Sequence, residues 1–284
     1  MCFFVISSCS VPCLYKSVFY TSLGLPGLSA VRAFSSPGGP TTFTTLSVSQ
    51  PATAKRNAMN KAFCREMVEC FTQIAGDPDC RVVVVSGAGK VHTAGVDFMD
   101  VASEILQAEG DDMARISWNM RRIIAKYQET FTCPKPVVVA VQEASVGGDF
   151  HILFILSKCL PLLQEVDIGL AADVGTLQRQ PKVIGSRRKM YTDEAKESGL
   201  VRYGYSEALM AGALEMAGEI AGRSSVAVQG TKVNLIYSRH HSGAEGLNYI
   251  GTWNMSMLQK DDVMKSAAAS MEKKSPKTIT FSKL

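Results

Sequence analysis

"RVVVVSG", Arg81 to Gly87, sets a run of valines between a cation and a glycine, and the chain continues as "AGKVHTAGVDFMD" to Asp100. Consecutive β-branched residues without polar alternation predict a strand covered on both faces. The glycine marks where it stops. A second run of the same kind, "KPVVVAV", covers Lys135 to Val141. Between the two, Met113, Ile116, Met120, Ile123, Ile124 and Tyr127 follow helical spacing and predict a helix over about Asp111–Thr130. Ahead of the first run, Asn60 is placed to cap a helix that buries Phe63, Met67, Cys70, Phe71 and Ile74, with "GDPD" as its stop. Alternation of helices with fully buried strands predicts a layered α/β domain.

Beyond Ser206 the spacing is helical almost to the end, over Ser206–Ala221, Val226–Tyr237, Ala244–Gln259 and Lys260–Met271. Trp253, Met255, Met257 and Leu258 are too apolar for a solvated tail and predict core or a subunit interface. The expected organisation is therefore a lead segment over 1–54, an α/β core over 55–205 and a helical region over 206–284.

No Asp or Glu precedes Glu66, while Ser and Thr abound and Lys16, Arg32, Lys55 and Arg56 are basic. That is the composition of an organellar transit peptide. A secretory signal and an unstructured alternative tail are the competing readings of the apolar start. Ser35 to Thr53 predicts an unstructured lead-in. Ser282-Lys283-Leu284 matches the tripeptide read by the peroxisomal import receptor. The expected locations are mitochondrion and peroxisome, which favours lipid metabolism.

The remaining bulk features mostly exclude. In 284 residues, 46% are hydrophobic and 20% charged, which suits a well-filled globular core. A net charge of +4 with no basic patch interleaved with aromatics argues against nucleic acid. The 8 cysteines form no CxxC pair and read as reduced thiols, and the 4 histidines are not spaced as ligands, so no metal is expected. No apolar run is long enough to span a membrane.

Two glycine turns could carry chemistry. "HTAGVDFMD" (His92–Asp100) follows the first valine run, and "ASVGGDF" (Ala144–Phe150) follows the second. Each could aim a backbone N–H at one carbonyl oxygen, forming an oxyanion hole, or could be no more than a tight connection. Further on, "QEVDIGLAADVGTLQRQPKVIG" sets Glu165 and Asp173 among apolar residues, with Asp167 as a loop charge. GxSxG, GxGxxG and P-loop motifs are absent. Oxyanion donors plus carboxylates in apolar surroundings suit proton abstraction beside a thioester carbonyl.

The segments "KRNAMNKAF", "SGAGKVHTAGVDFMD", "GDDMARISW", "EVDIGLAADVGTLQRQPKVIG", "TKVNLIYSRHHS" and "LNYIGTWNMSMLQ" together resemble the crotonase (enoyl-CoA hydratase/isomerase) family from about Lys55 onward. The resemblance implies a ββα spiral core with a helical C-terminal region, assembled as a homotrimer or homohexamer. It implies an isomerase of β-oxidation that shifts the double bonds of 3,5-dienoyl-CoA to the 2,4 positions. No cofactor is implied, coenzyme A being part of the substrate. By the same resemblance Ala94, Gly95, Val96, Asp97 and Phe98 line the acyl-CoA, and the N–H groups of Val96 and Gly148 form the oxyanion hole. Asp173 takes the proton beside the thioester carbonyl and Glu165 serves the far end of the diene. Asp149 is a candidate pocket acid, although it follows Gly148 directly where the family has a third glycine and two more residues before a further active-site Asp.

Three segments depart from the family pattern. "TTLSVSQPATA" replaces a strand, "FHILFILSKCLPLL" replaces a helix and strand between Phe150 and Leu163, and a helix is missing between Gly185 and Ser186. These predict a poorly filled core near 150–163. The alternative readings are a catalytically impaired acyl-CoA-binding or subunit-interaction paralogue, degenerate or alternatively spliced, and an enoyl-CoA hydratase.

Overall fold

A computed structural model describes residues 2–7, 32–35, 42–47, 57–87, 91–95, 97, 99–100, 114–119, 121–122, 125, 133–141, 145–146, 155–156, 161–162, 197, 201–203, 209–258, 261–275 and 278–282. In chain order the strands and main helices are β1 (Cys2–Ser7), β2 (Arg32–Ser35), β3 (Thr42–Ser47), α1 (Lys61–Gly76), β4 (Cys80–Ser86), β5 (Val137–Ala140) and β6 (Ser145–Val146). There follow β7 (Ile155–Leu156), β8 (Pro161–Leu162), β9 (Val201–Tyr203), α2 (Leu209–Ala221), α3 (Ser225–His240), α4 (Gly243–Met257) and α5 (Asp262–Met271). Residues 114–119 of the helix expected over 111–130 are also helical.

The first valine run is strand β4, and its burial is complete on both faces. Val82, Val83, Val84 and Val85 are all 0% exposed. Side chains alternate across a strand, so the set divides in two. Val82 and Val84, with Val138 and Ala140 of β5, pack against Ala213, Ala217 and Ala221 of α2. That four-residue alanine spacing puts one small ridge toward the sheet and lets the helix lie close. Each fully buried valine contributes roughly 1.5–3 kcal/mol relative to exposure.

β4, β5, β7 and β9 run parallel side by side in a sheet ordered β2-β3-β1-β4-β5-β7-β9. β6 and β8 form a second, parallel pair. From β5 onward the strands alternate between the two sheets, so the chain winds as a spiral. Parallel strands require such crossovers.

Residues 2–7 and 32–35, in the expected transit-peptide-like lead, form strands, and so do 42–47, in the expected unstructured lead-in. β1 lies antiparallel between β3 and β4, with Phe4 opposite both Thr45 and Val84. The reason is local. "CFFVIS" and "TFTTLS" are rich in aromatic and β-branched residues that favour strands, and β4 would otherwise present an open apolar edge. A Ser- and Thr-rich, acid-free composition carries no information about such pairing. Ile155–Leu156 of the substituted segment also joins the main sheet, between β5 and β9, so the parallel order continues through it.

Helix α1 follows the expected pattern. Asn60 Oδ1 accepts from the Phe63 N–H at 2.8 Å, and Phe63, Met67, Cys70, Phe71 and Ile74 are all buried. The C-terminal helices fall close to the expected spans. α3 and α4 run antiparallel, with Tyr237 stacked on Tyr249 at 3.9 Å and Gly230 facing Trp253. A Cβ on Gly230 would lie 2.7 Å from Trp253 Nε1, so only glycine admits this approach. Trp253 and Met257 are half-buried, whereas Met255 and Leu258 are exposed.

A polar cluster joins distant parts of the chain. Arg81 donates to the carbonyls of Ala221 (3.1 Å), Arg223 (3.1 Å) and Phe281 (3.4 Å). Asp262 accepts from the Ser224 hydroxyl at 2.6 Å, and from the amide and hydroxyl of Ser282 at 2.9 and 3.0 Å. Burial under a thin cover opposes the Asp262 charge, but these donors and Lys265 outweigh it and hold its carboxyl below the usual 3.8. A depressed carboxylate contributes stability above its unfolded value and loses it as pH falls through the folded value. Asp262→Asn should therefore lower stability at neutral pH by roughly 1.5 kcal/mol, the low end for bonds to a charged group. In urea titrations the gap between wild type and variant should close as pH drops below about 3.8. A constant gap would assign the loss to packing instead.

Candidate active site

The turn after β4 is built around Asn57, which lies in the left-handed region at φ 58°. Asn tolerates that conformation better than most side chains. From there its Nδ2 donates to the carbonyls of Val91 (2.8 Å) and His92 (3.2 Å). The Thr93 hydroxyl returns the contact by donating to the Asn57 carbonyl at 2.7 Å, and it accepts the Gly95 N–H at 3.1 Å. Met59 then brackets the turn. Its N–H donates to the Gly95 carbonyl at 2.7 Å, and its carbonyl accepts the Asp97 N–H at 2.8 Å.

Two glycines make the turn fit. Gly95 has φ 89°, a region that side-chain-bearing residues avoid. Gly87 sits so close to His92 that a Cβ would lie 2.6 Å from His92 Cα. Asp100 closes the far side, its Oδ2 accepting the Lys61 N–H at the start of α1 at 2.9 Å. The turn is thus held by the segment that opens α1, some 35 residues earlier in the chain.

Of the expected substrate-lining residues, Ala94 is exposed, while Gly95 and Asp97 are buried within the turn. Val96 and Phe98 lie outside the described residues, as do Gly148, Asp149, Glu165, Asp167 and Asp173. The strands leading to two of these are described, and they are neighbours. Val146 of β6 pairs with Leu162 of β8. Gly148 follows two residues after the first, and Glu165 three after the second. The second glycine turn therefore leaves β6 of the small sheet rather than β5. Ser86 and Ala140 pair at the carboxyl ends of β4 and β5. Carboxyl ends of parallel strands are where open α/β sheets place their ligands.

Sequence reasoning missed Asn57, Met59 and Thr93 as parts of this site. The signal was present in "RNAMN" and "HTAG", but the contacts that give those residues roles span more than thirty positions.

Three buried thiols offer no nucleophile. Cys70, Cys80 and Cys133 are free and buried. Burial, chiefly, pushes Cys70 and Cys80 up to about 12, and raises Cys133. A thiol so raised stays protonated at neutral pH. Among the described residues no group of His, Cys, Asp and Glu is placed to hold a metal ion, and no helix is long and apolar enough to cross a membrane.

Comparison with known proteins adds the following. The enoyl-CoA hydratase/isomerase family matches residues 48–279. The chain is 55% identical to the mitochondrial Delta(3,5)-Delta(2,4)-dienoyl-CoA isomerase of Homo sapiens, over 81% of this chain and 77% of that protein. It is 34% identical to the peroxisomal Delta(3,5)-Delta(2,4)-dienoyl-CoA isomerase of Arabidopsis thaliana, over 80% of this chain and 89% of that one. Among solved structures it is similar to an enoyl-CoA hydratase from Bacillus anthracis, with TM-score 0.71 and 23% identity over 84% of this chain and 94% of the other. A crystal structure described as a putative enoyl-CoA hydratase, from Streptomyces coelicolor, gives TM-score 0.75 at 18% identity, over 93% of this chain and 98% of that one. These structural likenesses speak to the fold alone.

Proposed function

This chain belongs to the enoyl-CoA hydratase/isomerase family, and from that premise we propose that it is a dienoyl-CoA isomerase of fatty acid β-oxidation. The observation that carries the reading is the 55% identity, over four-fifths of the chain, to relatives bearing that name. The α/β spiral with its helical C-terminal region is the crotonase fold.

The substrate is a 3,5-dienoyl-CoA and the product its 2,4-isomer. Asp173 removes a proton from C2, beside the thioester carbonyl. The electron pair moves onto the carbonyl oxygen as an enolate, stabilised by the N–H groups of Val96 and Gly148. The dienolate then collapses, and Glu165 supplies a proton at C6. One proton leaves, one arrives, and no water is consumed. An apolar setting around both acids would raise their pKa values toward the useful range. Neither a metal nor a redox cofactor enters this scheme, coenzyme A being the handle of the substrate. The bracketed turn at 93–97 supports it, because an oxyanion donor must be fixed before charge develops.

The reading extends to assembly and location. A homotrimer or homohexamer would cover Leu247, Leu258, Met264 and Met271, all exposed on or beside the C-terminal helices. It would also close over a cavity of about 250 Å³ between α3, α4 and α5, where Trp253 Nε1 is buried with no hydrogen-bond partner. Relatives named mitochondrial and peroxisomal support residence in both organelles.

The test is direct. Purified protein mixed with a 3,5-dienoyl-CoA should generate the ultraviolet band of the conjugated 2,4-dienoyl thioester. Absence of that band, with hydration of a 2-enoyl-CoA instead, would assign the site to the hydratases.

A further inference from the structure

We infer that Asn57 is a positioning residue for the oxyanion donor, which it controls by holding the 91–95 backbone against the start of α1. The inference rests on the proposed role of the Val96 N–H and says what aims it.

Three observations carry it. First, Asn57 is one of two described non-glycine residues with positive φ. For a residue other than Gly that conformation costs on the order of 1 kcal/mol. The strain has a return, because from this conformation one amide group reaches the carbonyls of both Val91 and His92. Second, Thr93 answers by donating to the Asn57 carbonyl, so the two segments are tied in both directions. The same hydroxyl takes up the Gly95 N–H. Third, the peptide groups flanking Val96 are both fixed on Met59, two residues beyond Asn57. The Gly95 carbonyl and the Asp97 N–H are spoken for.

The consequence follows from geometry. With the Gly95 carbonyl and the Asp97 N–H already committed to Met59, the backbone on either side of position 96 is fixed, and that frame depends on where Asn57 holds 91–95. Asn57 touches no reacting atom, so its loss should act on transition-state stabilisation more than on substrate affinity.

The experiment uses Asn57→Gly, which keeps the backbone freedom and removes the amide, and Asn57→Asp, which sets carboxylate oxygens against two carbonyls. Both should lower kcat by about 10- to 100-fold, the scale of a misplaced or lost oxyanion donor. KM should change by less than about threefold, as expected where ground-state binding is kept. A spectroscopic readout separates positioning from mere folding. Bound 2,4-hexadienoyl-CoA should absorb at longer wavelength in wild type, because the oxyanion hole polarises its carbonyl, and that shift should shrink in the variants at unchanged Kd. Thr93→Val, which removes the reciprocal bond while keeping the shape, should give the same pattern if the Asn57 variants fold poorly. Folded variants with wild-type kcat and an unchanged absorption shift would overturn the inference while leaving the isomerase reading intact. A wild type that shows neither shift nor turnover would sink that reading, and this inference with it.

Discussion

Asp173→Asn should lower isomerase turnover by roughly 10²–10⁴, the usual contribution of a positioned acid–base group. The substitution keeps the size of the side chain and a hydrogen-bonding end, so binding of the acyl-CoA should survive. On the proposed scheme, what disappears is the lone pair that takes the C2 proton. Glu165→Gln should be as damaging to product formation but by another route. In heavy water, wild type should exchange the C2 hydrogen of the substrate. Asp173→Asn should not, whereas Glu165→Gln should still exchange it while making little product. Asp167→Asn should leave turnover within about twofold, since the proposed scheme gives Asp167 no proton to move. Equal losses from Asp167→Asn and Asp173→Asn would mean that loop stability, not proton transfer, was being measured.

Met67→Ala should be among the most destabilising single truncations in α1. Met67 is 0% exposed and is flanked on its helix face by Phe63, Cys70, Phe71 and Ile74, all buried. Removing most of a buried methionine costs about 2–5 kcal/mol, the upper part applying where neighbours cannot collapse into the gap. Met67→Leu fills the space again and should cost less than about 1.5 kcal/mol. Thermal or urea unfolding measures both. Leu235→Ala serves as control, since Leu235 is 63% exposed and surface truncation usually changes stability by no more than about 0.5 kcal/mol. A Met67→Ala loss no greater than that of Leu235→Ala would show that α1 is not part of the cooperative core.

The parts of this fold that were legible are those where one local pattern decides. The valine runs could only be strands covered on both sides. The spacing of Phe63, Met67, Cys70, Phe71 and Ile74 could only be one face of a helix, and Asn60 marked its start. β1 and β3 were not legible, because an acid-free, Ser- and Thr-rich segment has the same composition whether or not it pairs. Ile155–Leu156 was not legible either, since two residues hold no period. At the site, the glycines of "HTAG" located the turn. Nothing local could show that Asn57 adopts a left-handed conformation and grips the chain at Val91 and His92. Such a contact belongs to the assembled backbone, not to a window of sequence.

The bonds made by Arg81 set an order of events during synthesis. Its Phe281 partner is 200 residues downstream. At roughly 5–20 residues per second, a ribosome needs about 10–40 s to cover that interval. The Ala221 and Arg223 carbonyls emerge earlier, so the guanidinium is first taken up by the end of α2 and only last by the 278–282 segment. Through most of that time β4 is made but uncovered by α2, leaving its valines, buried in the finished fold, open in the way that attracts chaperones or other nascent chains. The nascent chain therefore carries its apolar strand without its helix before α2 emerges, and the Phe281 carbonyl is the last of the three Arg81 partners to be made.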